Sequence, residues 1–137
     1  SPKETRKKVE ALLKDCGLPP EYADRYPHQV SGGQCQRAAI ARALAIEPRL
    51  LICDEITSAL DVTVQKEILE LLNTLRTQRG HNLSILFICH DISLVQQFCD
   101  RVLVMYHGKI VEEGTPDEVI WNPKNDYTKR LIDSVLS

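Results

Sequence analysis

The sequence predicts an α/β fold with a mainly parallel sheet and flanking helices, and three observations carry that expectation. Two short continuous apolar runs, "LLIC" (50–53) and "LSILFIC" (83–89), have the length and the Val/Ile/Leu/Phe content of buried parallel strands. Each is followed at once by polar residues able to do chemistry, Asp54-Glu55 and His90-Asp91. Between them, Val64, Ile68, Leu71, Leu72 and Leu75 recur at helical spacing, marking a helix that begins at Asp61 and ends at Gly80. Strand, helix, strand is a crossover unit, the connection that parallel strands require.

The other elements follow in order. From Lys3 to Cys16, apolar residues at Val9, Leu12, Leu13 and Cys16 form one helical stripe, closed by Gly17 and Pro19-Pro20. Tyr22 to His28 reads as a short helix or turn. The run "QCQRAAIARALAIE", Gln34 to Glu47, is rich in helix formers and stops at Pro48, with Ser31 standing where an N-cap belongs. After the second strand, Ile92, Val95 and Phe98 give a short helix. "RVLVMY", the turn His107-Gly108 and "KIVEE" then read as two strands able to form a hairpin. Thr115 to Glu118 has the form of a capping box with proline at the first helical position, and Tyr127, Leu131 and Val135 mark the stripe of a terminal helix.

Composition narrows the function classes. A chain of 137 residues with 43% hydrophobic and 26% charged residues suits one folded domain and excludes disordered and collagen-like classes. The net charge of -2 is spread among interspersed acids and bases, so no basic stripe points to nucleic acid. Five cysteines (16, 35, 53, 89 and 99), odd in number and without a C-x-x-C pair, argue against a disulfide framework and a zinc site and for reduced thiols in the cytosol. Cys53, Cys89 and Cys99 sit in or beside apolar runs, where a thiol packs as a small hydrophobe. No apolar stretch approaches the ~18 residues of a membrane span, and "SPKETRKKVE" is not a signal peptide, so any link to a membrane is expected to run through partners.

The chemistry gathers at one edge. In crossover sheets ligands bind at the carboxyl ends of the strands, which puts Asp54-Glu55 and His90-Asp91 side by side. Asp54 there can hold Mg²⁺ and Glu55 can orient a water for attack on a phosphoryl group, with His90 able to touch the transferring phosphate. Taken singly, each pattern also has a plain structural reading: an acid capping the next turn, or a satisfied histidine. Ser31-Gly32-Gly33-Gln34 is likewise either a turn or an anion site made of a cap, two unobstructed glycines and a helix start.

Read together, "VSGGQCQRAAIARAL", "LLICDE", "SALD" (58–61) and "ICHD" (88–91), in this order and spacing, resemble the C-terminal half of an ABC-transporter nucleotide-binding domain. The resemblance covers nearly the whole chain. It implies that Ser31, Gly32, Gly33 and Gln34 are the signature that contacts ATP on an opposite subunit. Asp54 and Glu55 would be the Walker B acid, on Mg²⁺ through ATP, and the catalytic glutamate. Ser58 to Asp61 would be the D-loop that crosses the dimer interface, and His90 the switch histidine. "YPHQVSGGQ" and "GTPDEVIWNPKNDYTKRL" look like the importers of dipeptides, oligopeptides and nickel. The implied partners are a second ATPase subunit, two transmembrane permease subunits and, indirectly, an extracytoplasmic binding protein, at the cytoplasmic face of the membrane. The implied division is 1–47 for the end of a helical subdomain, 48–114 for the nucleotide-binding core and 115–137 for C-terminal helices.

Five features depart from the family. No G-x-x-x-x-G-K-[ST] phosphate loop occurs in these residues, and the Q-loop is absent too. Val30 replaces the usual leucine, Cys35 a usually polar or larger residue, and Ile56 the usual proline after the glutamate. In the family the P-loop strand lies between the switch-histidine strand and the strand that is "RVLVMY" here, so the resemblance implies an open slot, with the expectation that the isolated chain folds poorly or fills the slot by swapping or by pairing with another copy. The expected function is the ATP-hydrolysing part of an importer. A truncated chain keeping only interaction surfaces is the alternative, and a DNA-repair type ABC ATPase a weaker one that lacks heptads or a basic patch to support it.

Overall fold

The computed structural model describes residues 1–24, 32–78 and 82–136, in two compact units, Ser1–Ile88 and Cys89–Ser137. The first opens with α1 (Pro2–Asp15), started by a reciprocal capping box between Ser1 and Glu4 with proline in the first turn. Its stripe buries Leu12, Leu13 and Cys16 and leaves Val9 38% exposed. The helix closes on Gly17 at φ 77°, whose N–H reaches Lys14 O while Leu18 N reaches Leu13 O, the paired bonds of a Schellman motif. A 3₁₀ turn, Pro20–Asp24, follows, held to α1 by a two-pronged Arg6–Asp24 ion pair at 2.7 Å per prong. The rest of the turn expected over 22–28, and the expected cap Ser31, lie outside the described residues.

Helix α2 (Gly32–Leu44) begins on the glycine pair itself and stops three residues short of the expected Glu47. The cause is local. Pro48 bars Glu47 from the helical region, so Glu47 turns to φ 53° and its N–H closes the end on Leu44 O. Strands β1 (Leu50–Asp54) and β2 (Ser84–Ile88) pair parallel, with Leu50 opposite Ser84 and Asp54 opposite Ile88, joined by α3 (Val62–Gln78). The crossover is as expected, but the strands are not buried on both faces. In β1, Leu51 and Cys53 are buried whereas Leu50 and Ile52 are 52% and 58% exposed; Leu86 and Ile88 share that exposure in β2. Hydrophobic run length signals burial without saying how many faces are covered. The unit's core gathers Leu12, Leu13 and Cys16 with Ile40, Ala41 and Leu44 of α2 and Ile68, Leu72 and Leu75 of α3.

In the second unit, α4 (Ile92–Phe98) is capped by Asp91, whose carboxylate accepts from Ser93 N and Leu94 N. Strands β3 (Val102–Tyr106) and β4 (Lys109–Gly114) form the expected hairpin, antiparallel, with His107 and Gly108 at φ 48° and 77° as a two-residue primed turn demands. At α5 (Pro116–Trp121) the Thr115 hydroxyl accepts from Glu118 N. Helix α6 (Asp126–Leu136) buries Thr128 and Ile132, while Tyr127 and Leu131 are half-buried and Val135 is 47% exposed. The expected stripe is thus turned by about one residue. Just ahead of the helix, the Glu112 carboxylate on β4 accepts from Lys124 N (3.0 Å) and Asn125 N (2.9 Å). Partial desolvation raises the Glu112 carboxyl, but the Asn125 and Lys124 N–H donors, together with the Thr128 hydroxyl and the Lys124 charge, hold it below the ordinary value.

Candidate functional site

The edge where β1 ends is built by the backbone. Asp54, the last residue of β1, is exposed, and Glu55 follows in the left-handed region at φ 52°, a conformation costing roughly 1–2 kcal/mol for a residue with a Cβ. Three hydrogen bonds hold it there. Glu55 N donates to Ile88 O at 2.8 Å, and Glu55 O accepts from Ser58 N (3.3 Å) and Ser58 Oγ (3.0 Å). The chain therefore leaves the sheet through one sharp turn directly after Asp54.

The loop after Glu55 is a hydrogen-bonded turn. Leu60 N donates to Thr57 O at 3.2 Å, and Thr57 itself is buried. Gln65, one turn into α3, spans the loop: its Nε2 donates to Thr57 O at 2.8 Å and to Leu60 O at 3.0 Å. Asp61 caps α3, its Oδ1 accepting from Val64 N at 2.9 Å and its carbonyl from Gln65 N. Sequence reading placed Ser58 and Asp61 here but passed over Gln65, since a polar residue on a helix carries no signal until the loop it reaches is folded.

The start of α2 lies against this loop within the same unit. A Cβ on Gly32 would stand 3.4 Å from Leu60 Cδ2, and one on Gly33 only 2.8 Å from Val64 Cγ1. Gln34 Nε2 donates to Tyr22 Oη at 2.7 Å, a contact the sequence did not suggest. Beside it, Arg37 donates to Cys16 O at 3.0 Å and approaches Glu67 at 3.8 Å, joining the end of α1 to α2 and α3. Gly17, Leu18, Gly33, Gln34, Arg37 and Glu67 line part of a cavity of about 330 Å³ there. A helix start directs N–H groups and a partial positive charge outward, the chemistry that receives a phosphate.

Gly32, Gly33, Asp54, Glu55 and Asp61 thus belong to one unit, with the glycines, Leu60 and Val64 in direct proximity. His90, exposed, belongs to the second unit two residues past Ile88, and Ser31 lies outside the described residues. Among the described residues no group of three or more His, Cys, Asp or Glu side chains could hold a metal ion. Asp54 therefore suits Mg²⁺ only as a single carboxylate sharing the ion with phosphate oxygens and water, the usual way that ion is held. Burial pushes the Cys53 thiol, inside β1, up to about 11. No described helix is long and apolar enough to cross a membrane.

A family model described as "ABC transporter" matches residues 3–58. The oligopeptide transport ATP-binding protein OppF of Escherichia coli K12 is 51% identical over 98% of this chain, and the dipeptide transport ATP-binding protein DppF of Haemophilus influenzae is 46% identical over 96%. The chain spans 40% of the length of each of these two relatives. Among solved structures, cbiO1 from Clostridium perfringens, part of the ABC transporter complex cbiONQ, is 37% identical with a TM-score of 0.73, covering 98% of this chain and 50% of that one. The ATP-binding cassette MJ0796, as a dimer bound to ADP and Pi, is 35% identical with a TM-score of 0.70, covering 85% and 49%. The chain belongs to the ABC-transporter ATP-binding proteins, and the two relatives named above are described as oligopeptide and dipeptide transport members of that family.

Proposed function

We propose that this chain is the signature-bearing part of an ATPase subunit that energises peptide uptake, and that its edge acts on ATP together with a facing subunit. The observation that carries it is the juxtaposition of a glycine-started helix, α2, with the capped loop that follows Asp54-Glu55. In this reading Ser31, Gly32, Gly33 and Gln34 face the phosphates of ATP held by the partner. Asp54 would hold the Mg²⁺ that those phosphates also bind. Glu55 orients the attacking water, His90 touches the transferring phosphate, and Asp61 sets the loop that crosses between subunits. Residues 1–47 end a helical subdomain, 48–114 carry the core and 115–137 the C-terminal helices. Two membrane permease subunits and, through them, an extracytoplasmic binding protein complete the assembly at the cytoplasmic face of the membrane. The names of the relatives favour peptides over nickel as cargo.

These 137 residues hold no G-x-x-x-x-G-K-[ST], so by themselves they lack a cradle for the β- and γ-phosphates and should turn over no ATP above background. The test mixes the chain with full-length E. coli OppF and follows association by sedimentation with MgAMP-PNP, with MgADP and without nucleotide. Association that needs the triphosphate is expected. Association indifferent to nucleotide, or turnover by the isolated chain that Glu55→Gln abolishes, would overturn the reading.

A further inference from the structure

We propose that Val64, with Leu60 beside it, is the positioning residue for the start of α2, so that the size limit at Gly33 is set from behind by this chain's own loop-and-helix corner. A Cβ on Gly33 would come to 2.8 Å from Val64 Cγ1, closer than such atoms approach in real structures, and one on Gly32 to 3.4 Å from Leu60 Cδ2. Val64 has little freedom to withdraw. It is β-branched, which leaves essentially one side-chain rotamer inside a helix, and its backbone N–H is fixed on Asp61 Oδ1 at 2.9 Å. Its neighbour Gln65 holds the carbonyls of Thr57 and Leu60, so Leu60 and Val64 form one braced surface. About one turn further along both helices, the Arg37–Glu67 pair at 3.8 Å holds α2 and α3 at the same spacing.

The consequence is mechanical. Any displacement of the turn between Glu55 and Asp61 is delivered through Leu60 and Val64 to the two glycines, and the helix start moves with the loop that carries the acids. Glycine at position 33 is then demanded by packing, whether or not an anion approaches from the front. The inference rests on the function proposed above only for what α2 faces; the contact itself stands without it.

The experiment compares the full 137-residue chain with Gly33→Ala, Val64→Ala and the double variant, by thermal melting and by sedimentation with full-length E. coli OppF and MgAMP-PNP. Affinities are read well below the lowest melting midpoint, so that folded fraction does not enter. Val64→Ala alone should lower the midpoint slightly, as removal of half-buried methyls does, but should raise it in the Gly33→Ala background, because it removes the obstructing atom. Gly33→Ala should weaken nucleotide-dependent association at least tenfold, and Val64→Ala should bring the double variant back within about threefold of the parent chain. A midpoint that Val64→Ala lowers in both backgrounds overturns the contact. A midpoint that recovers while association does not overturns the positioning role, since the added methyl would then be meeting the ligand in front. If the parent chain shows no nucleotide-dependent association, the proposed function fails, and the melting pair still decides whether Val64 sets the limit at Gly33.

Discussion

Gln65 offers a direct measure of how firmly the loop after Glu55 is held. Its side-chain amide is the donor to both Thr57 O, at 2.8 Å, and Leu60 O, at 3.0 Å. In Gln65→Leu the two bonds vanish, but not equally: Thr57 O keeps Leu60 N at 3.2 Å, so the main loss falls on Leu60 O. A neutral hydrogen bond contributes about 0.5–1.5 kcal/mol, and taking the Gln65 donor away from Leu60 O in a partly buried loop puts the expected loss at about 1–2 kcal/mol. For a unit of this size that corresponds to a midpoint lower by roughly 4–10 °C. Gln65→Glu keeps the shape and reverses the chemistry, since an ionised carboxylate facing two carbonyl oxygens is repelled. It should be less stable than Gln65→Leu at pH 7 and recover part of the difference near pH 4.5, where the protonated acid can donate. Thermal melts of the three proteins at both pH values decide the matter. A Gln65→Leu midpoint within 1 °C of the parent, or a Gln65→Glu protein more stable than Gln65→Leu at pH 7, would refute the bracing role.

Glu112 should make the second unit acid-sensitive. Its carboxyl is held below the ordinary value, so its contribution is full above about pH 4.5 and is lost as pH falls through the folded-state value; Glu112→Gln should cost about 1 kcal/mol at pH 7 in a denaturant titration and progressively less as the pH is lowered. Asp91→Ala removes the acceptor for Ser93 N and Leu94 N and should cost about 1 kcal/mol, seen as faster amide exchange across α4. Cys53, buried with its thiol pushed up to about 11, should resist disulfide-exchange reagents at pH 8 until the chain unfolds, as mass-spectrometric mapping would show; labelling at the rate of an exposed thiol would contradict its burial in β1.

Much of the architecture was legible in residue order alone. The periodicity of Ile68, Leu72 and Leu75 and the runs around Leu51 and Phe87 specify strand, helix, strand, because hydrophobic spacing is a local property of the chain. Turn chemistry was equally local: His107-Gly108 reads as a turn able to close a hairpin and Thr115-Pro116 as a helix start, and both form. The strings around Gly32-Gly33, Asp54-Glu55 and Ser58–Asp61 named the family for the same reason, since a motif is a sequence fact. Tertiary structure alone decided which face each element shows and what each polar group reaches. Glu112, more than ten residues before α6 in the chain, holds the backbone just ahead of that helix, and Leu50, Ile52, Leu86 and Ile88 are exposed although their runs read as buried strands. Above all, the pressure of Val64 on Gly33 is a contact between residues 31 positions apart, and distances across such a span are fixed by packing, which no local pattern records.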